Sequence, residues 1–282
     1  MIVCVPTTEG THLPMRTKLT LAVLSTVVAV LLAGCGSGSS GGSGGDSELA
    51  AVKQAGVLKV GTEGTYSPFS FHDAKQGNKL VGYDVEVAAA VAKKLGVKAE
   101  YVETPWDSIF AGLTSKRFDV VINQVTKNPE REGLYGLSTP YTVSEGVIAT
   151  RADDSTISSL ADLKGKKTAQ SLTSNWAQVA KDAGAQVEGV EGFTQAVALL
   201  KQKRVDATVN DSLAVLDYQK STGDTGIKIA AKTGETSDQV VATRKGSDLV
   251  PAIDKALADL AADGTLTKIS EKYFGTDVSK QA

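Results

Sequence analysis

Residues 84–102 form the sequence DVEVAAAVAKKLGVKAEYV, in which a run with one apolar face is followed by glycine and then by a short apolar segment. The run Asp84–Leu95 is predicted to be a helix, with Asp84 as its N-cap and Gly96 after its last turn. The segment Val97–Val102 is predicted to be a strand. A helix followed directly by a strand is the repeating unit of an α/β sheet.

The same alternation extends in both directions from this unit. The other predicted strands are Val57–Gly61, Phe118–Ile122, Lys167–Gln170, Gln186–Val190, Asp206–Val209 and Ile227–Ala230. The other predicted helices are Trp106–Thr114, Asn175–Ala183, Phe193–Gln202, Leu213–Ser221 and a pair within Val250–Phe274. The fold class is therefore predicted to be α/β, and the length allows two lobes of about 100 residues each.

Two further stretches, Tyr141–Arg151 and Glu235–Arg244, have the composition of extended chain with no helix beside them. They fit two strands that connect the lobes and fit two surface loops equally well. The pattern of these residues alone does not distinguish the two structures.

The N-terminal part has the pattern of an export signal. Arg16 and Lys18 precede the apolar run Leu19–Ala33, which is too short to span a hydrocarbon core of ~30 Å comfortably. The run ends in LAGC, residues 32–35, which resembles the lipobox of bacterial lipoproteins. The resemblance implies that residues 1–34 are a signal peptide, and that Cys35 is acylated, for example with palmitate.

Two expectations follow for the segments that flank this signal. Residues 1–14 contain Glu9 and two prolines, which do not suit a signal, so we expect translation to start at Met15. Residues 36–45 are all Gly or Ser, a composition typical of flexible linkers. Residues 35–47 are therefore predicted to link a folded body to the outer side of the cell membrane, at the cell surface or in the periplasm.

The composition excludes several classes of function. The chain has 30 basic and 32 acidic residues, for a formal net charge of −2, so no nucleic acid is expected as a partner. After residue 34 the chain contains one cysteine, Cys35, and one histidine, His72. No disulfide, metal site, cysteine nucleophile or cofactor is therefore expected.

Five motifs occur in an order that is typical of a known family. They are GTEGTYSPF at 61–69, GYDVE at 82–86, FDV at 118–120, NPER at 128–131 and STPY at 138–141. Together they resemble the polar amino-acid-binding proteins of ATP-driven (ABC) importers. The resemblance implies the type II periplasmic-binding-protein fold, in which two α/β lobes are joined by a two-stranded hinge. Lobe 1 is expected to comprise 48–143 and 241–282, and lobe 2, with the hinge strands, 144–240.

The resemblance also implies a site for a zwitterion between the lobes. Arg131 would hold the α-carboxylate, since a guanidinium can donate two parallel hydrogen bonds to it, and Thr126 would donate another. Asp211 would accept hydrogen bonds from the α-ammonium. Gln124 lies where family members use a backbone carbonyl for the same group. The usual pair there is Ser-Gly or Ser-Ser rather than Asn123-Gln124, so the role of the Gln124 side chain stays open.

Four more candidates would surround the ligand's side chain. Tyr66 and Trp106 match family positions that enclose it between aromatic rings. Phe69 is a third aromatic candidate, which fits the core equally well. Glu63 matches a position that contacts basic side chains in some relatives, and its carboxylate would suit a second ammonium group.

Thr173 and Ser174 are two further candidates, which lie with Asp211 in lobe 2. They precede a predicted helix, where backbone amides and hydroxyl groups favour an anion. The surrounding AQSLTSN at 169–175, with RVDA at 204–207 and DGTLTKIS at 263–270, resembles the branch of the family that binds L-cystine.

The expected function is therefore extracytoplasmic capture of an amino acid, with L-cystine as the first candidate, and delivery to an ABC permease. The chain is expected to be a monomer and not an enzyme. One alternative is binding of another polar amino acid. A second, from a different class, is a dehydratase-like enzyme on the same fold, with carboxylates as the available bases.

Overall fold

The computed structural model describes residues 47–280, apart from the side chain of Glu235. The start at Met15, the signal peptide, the acylated Cys35 and the linker at 36–45 lie outside the described residues and stay predictions. None of the helices within 47–280 has the length and apolar character needed to cross a membrane.

The described residues form eleven strands and nine α-helices. The strands are β1 (Val57–Thr62), β2 (Thr65–Tyr66), β3 (Ser70–Asp73), β4 (Lys79–Val81), β5 (Lys98–Glu103), β6 (Val120–Thr126), β7 (Tyr135–Arg151), β8 (Lys167–Gln170), β9 (Gln186–Gly189), β10 (Ala207–Asp211) and β11 (Ile227–Arg244). The helices are α1 (Glu48–Ala55), α2 (Tyr83–Leu95), α3 (Trp106–Thr114), α4 (Pro129–Leu134), α5 (Asn175–Asp182), α6 (Phe193–Lys201), α7 (Ser212–Thr222), α8 (Leu249–Ala262) and α9 (Thr265–Phe274). Two short 3-10 helices lie at Ala74–Gln76 and Leu160–Leu163.

Eight strands form one mixed sheet in the order β5-β1-β6-β11-β7-β10-β8-β9, and β2, β3 and β4 form a small separate sheet. β1 is parallel to β5 and β6, and β8 is parallel to β9 and β10. The long central strands β7 and β11 are antiparallel to each other and to their outer neighbours. We call the half with β1, β5 and β6 lobe 1, and the half with β8, β9 and β10 lobe 2. The predicted α/β fold class is confirmed.

The strands β7 and β11 connect the two lobes. Their register shifts between Lys232 and Thr236, where β11 passes from one lobe to the other, and Gly234 has a φ of 92° there. The two extended stretches are therefore hinge strands and not surface loops. The predicted strand Ile227–Ala230 is the first part of β11 rather than a separate element. The predicted lobe boundaries, 143/144 and 240/241, fall inside β7 and β11 and stay a prediction.

Residues 84–102 fold as predicted, into helix α2 followed by strand β5, with one correction at the start of the helix. Gly96 follows α2 in the left-handed conformation, with a φ of 81°, and its N–H bonds the carbonyl of Ala92. The N-cap residue is Gly82 and not Asp84. The Asp84 side chain is buried and accepts a hydrogen bond from the hydroxyl of Tyr141 at 3.0 Å. The predicted cap was wrong because an acidic residue is common both as the N-cap and within the first turn of a helix. Asp84 lies within the first turn, and its side chain is buried rather than bonded to the helix N-terminus.

Helices cover both faces of the large sheet. In β6, Val120 and Ile122 pack with α2 and α8, whereas Val121 between them packs with α3. In β7, Val147 and Ile148 likewise belong to different core clusters, and Ile148 packs with α5. Since neighbouring residues of a strand point to opposite faces, both faces are buried, and the ends of the strands are left for a binding site.

Candidate functional site

Two adjoining cavities lie between lobe 1 and lobe 2, near the ends of β1, β6, β8 and β10. Cavity 1 is lined by residues of both lobes. Cavity 2 is a wider cleft beside it. Ser174, Asn175 and Trp176, at the start of α5, line both. In open α/β sheets, ligands bind outside the carboxyl ends of the strands, and both cavities lie there.

Eight of the ten predicted site residues line these cavities. Glu63, Tyr66, Trp106 and Gln124 line cavity 1, Thr126, Arg131 and Thr173 line cavity 2, and Ser174 lines both. Phe69 and Asp211 line neither cavity. No group of three or more His, Cys, Asp or Glu within the described part of the chain could hold a metal ion.

Arg131 brings a buried positive charge to cavity 2. It lies on α4, which was not predicted from the sequence and which the Asn128 side chain caps by accepting the Arg131 N–H at 2.8 Å. Its guanidinium lies over the rings of Trp106 and Phe110, 5.3 and 5.4 Å from their centroids. Its Nη1 donates to the Thr126 carbonyl at 2.8 Å. The residue is only 6% exposed, and burial lowers the pKa of the guanidinium to about 10.

Among the side chains that the structure describes, which do not include that of Glu235, no carboxylate lies within ion-pair distance of the Arg131 guanidinium. A buried cation without an anion is unfavourable, and a carboxylate entering cavity 2 would complete the pair. Thr126, the last residue of β6, lines the same cavity, and its hydroxyl lies 3.1 Å from both Ser237 Oγ and Gln239 Oε1.

Glu63 brings a carboxylate to cavity 1, and Asn123 holds it in place. Asn123 Nδ2 donates to Glu63 Oε2 at 2.6 Å, and Asn123 Oδ1 accepts the Glu63 N–H at 2.9 Å. The Asn123 amide is itself fixed, because Oδ1 also accepts the hydroxyls of Thr62 and Ser70. Burial raises the pKa of the Glu63 carboxyl to about 7, and the nearby charge of Asp107 adds to this effect. An ammonium group in cavity 1 would favour the ionised form.

Three buried polar atoms on residues that line cavity 1 have no hydrogen-bond partner among the described residues. They are Trp106 Nε1, Gln170 Nε2 and Gln124 Oε1. Buried polar groups in folded proteins are nearly always hydrogen-bonded, so two donors and one acceptor are available here to a ligand.

Gln124 has the backbone of a strained position. Its φ is 51°, in the left-handed region that residues other than glycine rarely adopt, and such residues cluster at ligand sites. Its Nε2 donates to Asp84 Oδ1 at 2.7 Å, which leaves Oε1 as the unpartnered atom. Burial raises the pKa of the Asp84 carboxyl to about 7.

Side chains of the two lobes are hydrogen-bonded to each other across the cleft. The N–H and hydroxyl of Thr173 donate to Asp107 Oδ1 at 3.1 and 2.7 Å. The Tyr66 hydroxyl donates to Asn210 Oδ1 at 2.8 Å. We call these three bonds, together with the bond from Ser67 to Asp217, the cross-cleft hydrogen bonds.

The fourth cross-cleft hydrogen bond lies outside both cavities. The Ser67 hydroxyl donates to Asp217 Oδ2 at 2.9 Å. Ser174 makes no such bond to another described residue, and its hydroxyl caps α5 by accepting the Ala177 N–H at 3.1 Å. The structure therefore has its two lobes in contact around the cavities.

The two remaining candidates are buried in the protein. Phe69 is fully buried in the core, with its ring 4.9 Å from that of Tyr66 and 6.0 Å from that of Phe274. Its position supports the core alternative that the sequence left open.

Asp211 is 1% exposed and has hydrogen-bond partners on both oxygens. Its Oδ1 caps α7 by accepting the Leu213 N–H at 2.8 Å. Its Oδ2 accepts the Ser144 hydroxyl and, at 3.3 Å, Nε2 of Gln239, so it is bound to both hinge strands. Burial raises the pKa of the Asp211 carboxyl to about 6.

The lining residues that were not among the predicted site residues include Gln170, Trp176 and Asn210. Gln170 and Asn210 lie at or next to the last residue of a strand, which is a usable signal in an α/β chain. Trp176 is one of only two tryptophans in the chain, and the other, Trp106, was predicted. Its place in the second position of α5 gives no further indication from sequence.

Comparison with known proteins identifies the family. Residues 58–276 match the model of the bacterial extracellular solute-binding proteins, family 3. The L-cystine-binding protein TcyA of Bacillus subtilis (strain 168) is 53% identical over 93% of this chain and 99% of its own length. The matched relatives are binding proteins, which confirms the prediction of a binding protein rather than an enzyme, and the family confirms an extracytoplasmic location.

Solved structures agree with this assignment. The unliganded, open L-cystine solute receptor of Neisseria gonorrhoeae is 49% identical, with a TM-score of 0.57 over 83% of this chain and 99% of that one. An ancestral arginine-binding protein bound to arginine is 42% identical, with a TM-score of 0.73 over 78% and 99%. The higher score with the ligand-bound structure agrees with the cross-cleft hydrogen bonds. The chain therefore belongs to family 3 of the bacterial extracellular solute-binding proteins.

Proposed function

We propose that this chain binds L-cystine between its lobes and delivers it to the permease of an ABC importer. Cystine has two amino-acid heads, each with a carboxylate and an ammonium group, joined by a disulfide. The observation that carries the proposal is the pair of adjoining cavities, one with the unpaired Arg131 and the other with Glu63 and unpartnered donors. Relatives that are named for cystine binding support it.

The first head binds in cavity 2. Arg131 donates two hydrogen bonds to its carboxylate, and the Thr126 hydroxyl donates another after it gives up its bond to Gln239 Oε1. Asp211 stabilises its ammonium group. A direct contact requires that group to replace Ser144 or Gln239 as a partner of Oδ2, and the hydrogen bonds to both hinge strands then change when the ligand binds.

The second head binds in cavity 1. Its ammonium group contacts the Glu63 carboxylate and Gln124 Oε1, which are both acceptors. Its carboxylate accepts hydrogen bonds from Trp106 Nε1 and Gln170 Nε2, the two unpartnered donors. Tyr66 closes this cavity through its bond to Asn210 of lobe 2. The ammonium group of this head thus meets hydrogen-bond acceptors, and its carboxylate meets hydrogen-bond donors.

Capture of the ligand shifts the protein toward the closed arrangement, because both lobes contribute contacts that form together only when the cleft is closed. Thr173 and Ser174 lie at the lobe 2 edge of that cleft. We further propose that the body acts as a monomer on a lipid anchor at Cys35. Replacing Cys35 by Ala should release the protein from the membrane fraction and abolish labelling with a palmitate analogue, and retention on the membrane would contradict the anchor.

A thermal-shift screen of the common amino acids and cystine tests the proposed ligand, followed by calorimetry and recovery of the ligand. We expect the largest shift with L-cystine, and intact cystine after release. A second candidate is arginine, since the arginine-bound structure is 42% identical and Glu63 could pair with a guanidinium. A shift with arginine and none with cystine would contradict the proposal and favour that candidate.

A further inference from the structure

The start of α5 lies between the two cavities. Ser174, Asn175 and Trp176 line both of them, and Trp176 is the only large apolar side chain of the three. The Ser174 hydroxyl is occupied as the cap of α5. Any ligand that occupies both cavities must therefore pass the indole ring of Trp176.

The strands behind Trp176 hold its ring in place. A methyl group added at Gly146 of β7 would lie 2.5 Å from Cζ3 of the indole, which is too close for any real contact. The same methyl group would lie 2.5 Å from the hydroxyl of Thr233, which donates to the Gly146 carbonyl. The ring also packs against the core cluster that contains Ile148 and Ala180. The indole reaches its position only because residue 146 has no side chain.

We propose that Trp176 selects the ligand by the distance between its two heads. This inference rests on the proposed function, in which one head binds at Arg131 and the other at Glu63. The middle of such a ligand is apolar, and sulfur atoms pack favourably against aromatic rings. Because the ring cannot retreat toward Gly146, a ligand with a longer middle must displace one of its heads from its polar partners.

Titration calorimetry of the mature chain with three compounds tests this assignment. They are L-cystine, L-homocystine, whose two arms are each one methylene longer, and S-methyl-L-cysteine, which has one head. The wild type should prefer cystine over homocystine by about tenfold or more, as expected for added methylenes in a fixed pocket. Trp176→Ala should bind cystine about tenfold more weakly and lose most of this preference, with little change for S-methyl-L-cysteine.

Two further variants separate this effect from general damage to the fold. Tyr273→Ala removes an aromatic residue that lines neither cavity and should leave all three affinities unchanged. Gly146→Ala should weaken cystine binding by displacing the indole, and should have a smaller effect in the Trp176→Ala background, where only the Thr233 hydroxyl is displaced.

The outcomes distinguish the two proposals. A wild type that binds cystine, with Trp176→Ala showing the same affinity and the same preference over homocystine, overturns the role of Trp176 alone. Equal effects of Gly146→Ala with and without Trp176 overturn it as well. A wild type that binds no cystine overturns both the proposed function and this inference.

Discussion

Arg131 is buried with its charge unpaired, which determines what its replacement should do. Arg131→Met keeps most of the apolar contact with Trp106 and Phe110 but removes the partner of the ligand's carboxylate. We expect cystine affinity to fall by about a hundredfold or more, which corresponds to the ~2–5 kcal/mol lost when one partner of a buried charge pair is truncated. The melting temperature of the ligand-free protein should change little, because no ion pair is lost.

Arg204→Met is a matched control for this variant, measured by calorimetry with cystine. Arg204 is an exposed residue that pairs with Glu188 at 3.2 Å and lines neither cavity. It should bind cystine as the wild type does. Near-normal affinity of Arg131→Met would show that the carboxylate binds elsewhere.

Glu63 should make cystine binding depend on pH. Burial raises the pKa of its carboxyl to about 7 in the ligand-free protein, and an ammonium ligand needs the ionised form. Binding therefore releases a proton below pH 7, so affinity should rise as the pH increases from about 5.5 to 7.5. Calorimetry across this range should show a smaller rise in cystine affinity for Glu63→Gln than for the wild type. Any rise in affinity that is left in this variant would come from the titration of Asp84 and Asp211.

The control for this pH dependence is Glu188→Gln, since Glu188 is an exposed residue outside both cavities. It should keep the full wild-type slope. If Glu63→Gln keeps the full slope as well, Glu63 does not contact the ligand's ammonium group.

Asp211 shows how far a motif alone defines a residue's role. Its place at the end of β10 and the charge at that position follow from the sequence. Its burial does not, because the bonds to Ser144 and Gln239 come from hinge strands that are distant in sequence. Asp211→Ala should weaken amino-acid binding. It also removes the cap of α7, at a cost of ~0.5–2 kcal/mol of stability.

The cross-cleft hydrogen bond from Ser67 to Asp217 joins lobe 1 to helix α7 of lobe 2, and it should slow ligand release. Neither residue lines a cavity, so Ser67→Ala leaves the ligand contacts in place. One hydrogen bond contributes about 0.5–1.5 kcal/mol, which predicts a dissociation rate about two- to tenfold faster. Stopped-flow measurement of tryptophan fluorescence checks this, since both tryptophans line the cavities.

Ser221→Ala is the control for this variant. Ser221 also belongs to α7, but its hydroxyl bonds only to the Tyr218 carbonyl of the same helix. Its dissociation rate should equal that of the wild type. An unchanged rate in Ser67→Ala would mean that this bond contributes nothing to closure.

The helices and strands that could be predicted from sequence are those whose apolar residues follow a helical or strand period within the element itself. The helix Trp106–Thr114 and the strand Lys167–Gln170 have the predicted bounds, because an apolar face or run is clearly delimited at each end. The six-residue α4 was missed because it is too short to show a helical period. β11 was divided because its register shifts near Gly234 interrupt the pattern, and only pairing with β7 makes it one strand.

For the molecule as a whole, three buried carboxyls predict that the ligand-free protein loses stability as the pH rises. Burial raises the pKa of Glu63 and Asp84 to about 7 and that of Asp211 to about 6, all above their ordinary values. The folded state then binds more protons than the unfolded state between about pH 4.5 and 7, so the free energy of unfolding decreases across this range.

Melting temperatures between pH 5 and 8 test this. Asp224 and Asp263 have a pKa lowered to about 2 by hydrogen bonds to lysines. Their contribution to the free energy of unfolding is therefore fully present by pH 5 and does not change between pH 5 and 8. The melting temperature should fall with rising pH, and less steeply in Glu63→Gln. A melting temperature that rises over this range would contradict the buried state of these carboxyls.

The central claim is that one ligand with two heads fills both cavities, and the affinity ratio between cystine and S-methyl-L-cysteine tests it most directly. The first compound has two heads joined by a disulfide, and the second has one head that ends in a methyl thioether. Calorimetry of the mature chain should give one cystine per protein, bound about a hundredfold or more tightly than S-methyl-L-cysteine, because only cystine reaches the groups in both cavities. Equal affinities for the two compounds would contradict the account.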